Sequence, residues 1–189
     1  LEAYLLDRPR RGVKRWIMCN DGTGEIADYI VIEELATGEI SLGLWHAKGA
    51  GGAAGVRVGD FQVLAAQALR SRRRFSSTTI WTDIGAAFAE DTYPPATLVD
   101  GSDDPEELQR KLGYNVDLGP DHPDQPNWDQ RRALVSGPVI GVVQPGLSHG
   151  QFAADLQAGG AAASSLRELF NVLRDTTISD GGELVILVS

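Results

Sequence analysis

The sequence predicts an α/β fold: a mixed central sheet opened by an antiparallel hairpin, with helices on both faces. Three observations lead there. Two tight turns, Asp21-Gly22-Thr23-Gly24 and Ala36-Thr37-Gly38, separate three strand-like stretches early in the chain. Glycine supplies the backbone freedom such turns need, and Asp can bond its own backbone. A glycine-rich connection over residues 49–59 then leads into an amphipathic helix. Finally, the chain closes on a continuous apolar strand, Glu183 to Val188, of the kind buried on both faces of a sheet.

Taken in order, residues 1–12 are polar and rich in Arg and Pro, and read as a lead-in segment or linker to one domain spanning 13–189. Val13 to Asn20 forms the first strand. Ile26 to Glu33 alternates, with Ile26, Asp28, Ile30 and Ile32 facing one way and Ala27, Tyr29 and Val31 the other. The third strand puts Ile40, Leu42, Leu44, His46 and Lys48 on a single face. Asp60 is expected to N-cap a helix running to about Arg73. Phe61, Leu64, Ala65, Ala68 and Leu69 are its packing stripe, and Gln67 lies near the stripe's edge. Beyond it come a short strand over Thr78–Trp81, a helical piece over Asp83–Glu90 and a strand over Ala96–Val99. Ser102 is expected to cap a helix carrying Leu108 and Leu112, and residues 113–127 read as an exposed loop. Leu134 to Val143 reads as a buried strand, ended by Gln144-Pro145-Gly146. Ala161 to Arg174 is an amphipathic helix with Leu166, Leu169, Phe170 and Leu173 inward.

At 189 residues the chain suits one domain with a sizeable core. The lone Cys19 excludes a disulfide framework and fits a reducing, cytoplasmic setting. No apolar run approaches the ~20 residues of a membrane helix, so no membrane partner is expected. A first residue Leu1 in place of Met suits a piece of a longer polypeptide, with other domains or subunits as partners. The net charge of −9 argues against a dedicated nucleic-acid binder. That charge is uneven, however: residues 1–74 carry eleven Lys and Arg against nine Asp and Glu, leaving the acidic excess in the remainder. Arg57, Arg70, Arg72, Arg73 and Arg74 therefore stand as a candidate phosphate-contacting set. The bland reading of the run 70–74 is a solvated helix end favoured by the macrodipole.

Asp28, His46 and Lys48 share strand faces with core residues, and ionisable groups so placed need partners or a function. Paired as a hairpin, the strands would bring all three to one end of the sheet. A dinucleotide-type reading competes, because Gly49, Gly51 and Ala54 satisfy G-x-G-x-x-A after a strand. That fingerprint must open a helix directly to use its amide dipoles, and here the helix is expected only at Asp60. A structural reading, with His46 hydrogen-bonded and Lys48 snorkelling, accounts for each residue singly. It does not account for the set.

Residues 16–70, through GEIAD (24–28), WHAK (45–48) and the Gln of VLAAQALR (63–70), resemble the PD-(D/E)xK nuclease superfamily, with a restriction-endonuclease-like core. The chain is also similar to domains attached to bacterial helicase-like and anti-phage defence proteins, a likeness extending to VVQPGLS (142–148). The resemblance implies metal-dependent hydrolysis of DNA or RNA phosphodiesters, with Mg²⁺ or Mn²⁺ as cofactor. On that pattern Asp28 is a metal ligand, and Lys48 orients or deprotonates the attacking water and stabilises the phosphorane charge. Gln67 positions the water or a phosphate. His46 stands where the family has Asp or Glu. Imidazole suits Mn²⁺ better than Mg²⁺, so a second carboxylate from Glu25 or Glu33, or a domain that only binds nucleic acid or a partner, are the alternatives.

Overall fold

The computed structural model describes residues 1–20, 26–49, 53–75, 80–87, 96–112 and 137–189. The strands are β1 (Lys14–Cys19), β2 (Tyr29–Glu34), β3 (Ile40–Ala47), β4 (Thr97–Leu98), β5 (Val139–Gln144) and β6 (Glu183–Val188). They form one mixed sheet in the order β4-β1-β2-β3-β5-β6. The pairs β1–β2, β2–β3 and β1–β4 are antiparallel, whereas β3–β5 and β5–β6 are parallel. Helices α1 (Glu2–Asp7), α2 (Val58–Arg74), α3 (Ile80–Ala86), α4 (Pro105–Leu112), α5 (His149–Gln157) and α6 (Ala161–Ser179) complete the described elements.

Strand alternation divides the core into two layers. On one face Met18, Ile30, Ile32, Leu42, Leu44, Ile140 and Val142 pack with side chains of α2, α3, α4 and α6. Phe61 of α2 meets Phe170 of α6 edge-on, ring centroids 4.7 Å apart, a favoured aromatic geometry. The opposite face gathers Ile17, Val31, Trp45 and Val139 under Leu5 of α1. The Trp45 ring lies against its neighbour on β5, and a Cβ at Gly141 would come within 2.0 Å of it. Only glycine leaves room for the indole there.

Several expectations change in the folded chain. Residues 1–12, expected as a lead-in segment or linker, contain α1, and its Leu5 is 1% exposed because the second sheet face needs an apolar cover. The helix expected to start at Asp60 begins at Val58, and Asp60 lies in its first turn, paired with Arg57 at 3.4 Å. Residues 80 and 81, expected as strand, open α3. Asp104 rather than Ser102 caps α4, its Oδ1 accepting from the Glu106 amide at 3.0 Å, with Pro105 in the first helical position. Ser102 instead accepts from the Ile17 amide of β1 at 3.0 Å. The last strand, expected to be buried on both faces, is the sheet's edge and is only partly buried. The segment 113–127 lies outside the described residues. Among the described residues, no helix is long and apolar enough to cross a membrane.

One ion pair is sealed into the second face. Arg15 and Glu33, opposite each other on β1 and β2, are each 3% exposed. Arg15 donates to Glu33 Oε1 at 2.8 and 2.9 Å and to the carbonyls of Leu5 and Arg8 at 3.1 and 2.7 Å. The Arg11 amide donates to the same carboxylate oxygen at 2.9 Å. Removing one member of such a pair strands a charge in low dielectric. Glu33→Ala should cost about 3–5 kcal/mol in urea unfolding. A loss below 1 kcal/mol would show that Arg15 finds water instead.

Candidate functional site

Tyr29 pairs with Trp45 in the β2–β3 ladder. Asp28, just ahead of β2, and His46 are therefore the next opposing residues, on the α2 side of the sheet. The side chains meet as that register requires. Asp28 Oδ2 accepts from the Ala47 amide at 2.9 Å and lies 3.7 Å from His46 Nδ1, too far for a hydrogen bond. His46 is 2% exposed, and its Nδ1 is buried without a hydrogen-bond partner. Its other ring nitrogen, Nε2, lies 2.7 Å from Ser71 Oγ, and the Ser71 hydroxyl donates to the Ile26 carbonyl at 2.9 Å. The ladder runs one residue beyond β3, the Lys48 amide donating to the Val143 carbonyl at 3.1 Å. Alternation thus assigns Lys48 to the face of His46.

Helix α2 closes the site from above. Its buried positions Phe61, Leu64, Ala65, Ala68 and Ser71 recur at helical spacing, so the apolar stripe ends on a hydroxyl. Gln67 lies one turn before Ser71, partly exposed, which on a helix makes the two neighbours. Ser71 was not singled out from the sequence, although a serine continuing an apolar stripe is a readable signal. Gln144 reads in the sequence as a strand terminator inside VVQPGLS (142–148). It shares its sheet face with Ile140 and Val142, it follows the His46–Val142 rung by two residues beside Lys48, and it is fully buried. Both its amide oxygen and its amide nitrogen lack hydrogen-bond partners.

The other expected members fall apart from this group or outside it. Glu33, considered as a second carboxylate, points to the opposite sheet face and is held by Arg15. Glu25 lies outside the described residues. Among the described residues, no group of three His, Cys, Asp or Glu side chains is arranged to hold a metal. The arginines do not form one patch. Arg57 flanks the N-terminus of α2 and Arg70–Arg74 its C-terminal end, about 20 Å away at 1.5 Å per residue. Arg57 pairs with Asp60, Arg72 with Asp180 and Arg74 with Asp83. Arg70 and Arg73 are exposed on the turns flanking Ser71.

Electrostatically, Asp28 is the tuned member. Burial pushes its carboxyl up, but the Ala47 amide and, when its ring is protonated, His46 outweigh burial and hold it below the ordinary carboxylate range. Chemically, the arrangement offers one ionised carboxylate and one bare imidazole nitrogen facing each other, with an ammonium two residues along the strand.

Two outcomes follow. A lowered carboxyl adds stability that is full above its unfolded pKa, about 3.9, and disappears as pH falls through the lower folded value. Asp28→Asn should therefore be less stable than the parent in urea from neutral pH down to about pH 4, with the gap closing in stronger acid. A gap that persists undiminished at pH 2 would rule the carboxylate charge out as its source. At Gln144, an apolar replacement of similar size removes two unsatisfied groups worth about 1–3 kcal/mol each. Gln144→Leu should raise the melting temperature, and a fall would mean that ordered water satisfies the amide. No protein-family model, curated protein or solved structure matches the chain.

Proposed function

We propose that the chain is a PD-(D/E)xK-like nuclease domain with a restriction-endonuclease-like core, hydrolysing phosphodiesters of DNA or RNA with a divalent metal. The observation that carries this reading is the Asp28–His46 pair, with its unpartnered buried imidazole nitrogen 3.7 Å from the carboxylate. The sheet order supports it: three antiparallel strands, then α2, then β5 parallel to β3. Asp28 and His46 would hold the ion, which when bound supplies charge neutralisation and an acidified water. A donor set of one carboxylate and one imidazole suits Mn²⁺ better than Mg²⁺. Lys48 would orient the attacking water and offset charge at the phosphorus. Gln67, beside Ser71, would hold a phosphate oxygen or that water, and Arg70 and Arg73 the flanking backbone. Work on nucleic acid in defence or repair, within a larger assembly, is the setting that the family resemblance suggests.

A second reading has its own support. Only two candidate ligands face each other among the described residues, which suits a nuclease-like module that binds nucleic acid or a partner without cutting.

Metal titration separates the two. At a concentration one hundred times its dissociation constant, a bound ion adds about 2.7 kcal/mol, roughly 5–10 °C in melting temperature for a domain of this size. Mn²⁺ should give that shift in the parent and not in Asp28→Ala. Labelled single- and double-stranded DNA and RNA should be cut with Mn²⁺ better than with Mg²⁺, and His46→Asp should move the preference towards Mg²⁺. Lys48→Ala should keep the thermal shift and lose at least 100-fold in cleavage rate. A metal response without cleavage of any substrate leaves the binding module, and no metal response sinks the nuclease reading.

A further inference from the structure

We infer that Ser71 sets the tautomer of His46, keeping the imidazole proton on Nε2 and leaving the Nδ1 lone pair directed towards Asp28. The Ile26 carbonyl oxygen can only accept, so its 2.9 Å contact uses the single Ser71 hydroxyl proton. The 2.7 Å contact between Ser71 Oγ and His46 Nε2 can then be made only if Nε2 is the donor. Both groups are shielded from bulk solvent, His46 at 2% and Ser71 at 3% exposure. A neutral imidazole carries one proton, so Nδ1 is bare. It is the nitrogen that lies buried and unpartnered, 3.7 Å from Asp28 Oδ2.

Without Ser71 the preference should reverse. The Asp28 carboxylate is an acceptor on the other side of the ring, and it would draw the proton to Nδ1 and close the gap with an N–H···O bond. Ser71 thus keeps a lone pair facing a carboxylate, an arrangement unfavourable by itself and relieved by a cation shared between them. An outer hydrogen bond that fixes the tautomer of a metal-binding histidine is a common device, and its removal typically costs 10–100-fold in metal affinity. Ser71 is on this account a positioning residue. A merely structural role would require the same tautomer, so Mn²⁺ affinity is the readout that it would not move. The functional meaning rests on the proposed reading of Asp28 and His46 as the cation-holding pair; the tautomer does not.

The experiment is long-range proton–nitrogen correlation NMR of the metal-free, ¹⁵N-labelled chain above about pH 8, where histidine is neutral. His46 is assigned among the three histidines by its loss in His46→Gln. The parent should show a protonated Nε2 and a bare Nδ1. Ser71→Ala should shift the ring to the Nδ1-protonated form, or to a mixture, and weaken Mn²⁺ binding 10–100-fold by calorimetry. Ser71→Thr, which retains a hydroxyl, should restore the parent spectrum. A protonated Nδ1 in the parent overturns the inference without any variant, and so does an unchanged tautomer in folded Ser71→Ala. The expected tautomers with no Mn²⁺ binding by the parent would uphold Ser71's role and overturn the metal reading instead.

Discussion

The antiparallel register of β2 on β3 is the constraint from which the rest of the molecule follows. It sets Ile30 against Leu44 and Ile32 against Leu42, so each strand turns its large aliphatic residues towards α2. Side chains alternate with a period of two, and a slip by one residue would carry that whole set to the other face. The register is reinforced from the second face. The Trp45 indole fits only where β5 offers Gly141, so the hairpin and the parallel half of the sheet lock each other. Asp28 and His46 come together as the rung after Tyr29–Trp45, without any interaction of their own being needed to align them.

Helix α2 covers that end of the sheet and brings a hydroxyl to the His46 ring. Ahead of the helix, Gly55 is tied to β5's exit, donating to Gly146 and accepting from Ser148 at 2.9 and 3.0 Å. At its far end, Ser71 reaches Ile26 and His46. The helix is held between these anchors by α6 and by the apolar face beneath it. Its position is therefore fixed by packing along its length, and Ser71 inherits that precision.

Buried polar groups lie on both sheet faces. On the α1 face, Arg15 and Glu33 are paired, and backbone groups take up further hydrogen-bonding capacity. On the α2 face, His46 keeps one ring nitrogen bare and Gln144 keeps both ends of its amide bare. Native interiors leave few such groups unsatisfied, because each costs free energy in low dielectric. The Arg15–Glu33 network ties the α1 face together, although the Trp45 indole nitrogen on that face is also buried without a partner.

Period-two alternation in the sequence determined the second and third strands and the core-facing side of Asp28 and His46 on each, because side-chain direction in a strand is a local property. The stripe on α2 and the inward face of α6 were legible for the same reason at period 3.6. Other features depended on contacts between residues far apart in the chain. The burial of Leu5, the pairing of Arg15 with Glu33 and the edge position of β6 could not be read locally. An apolar run such as that of β6 reports what a strand can tolerate, while strand order decides what covers it. Ser71 and Gln144 mark the boundary between the two kinds of information. Each breaks an apolar pattern in a way the sequence displays, yet only the fold assigns Ser71 to the His46 ring and Gln144 to the rung beside Lys48. The reason is that hydrogen bonds form across distances of 3 Å in space, and it was the crossing of α2 over the sheet that brought residues 26, 46 and 71 within that distance.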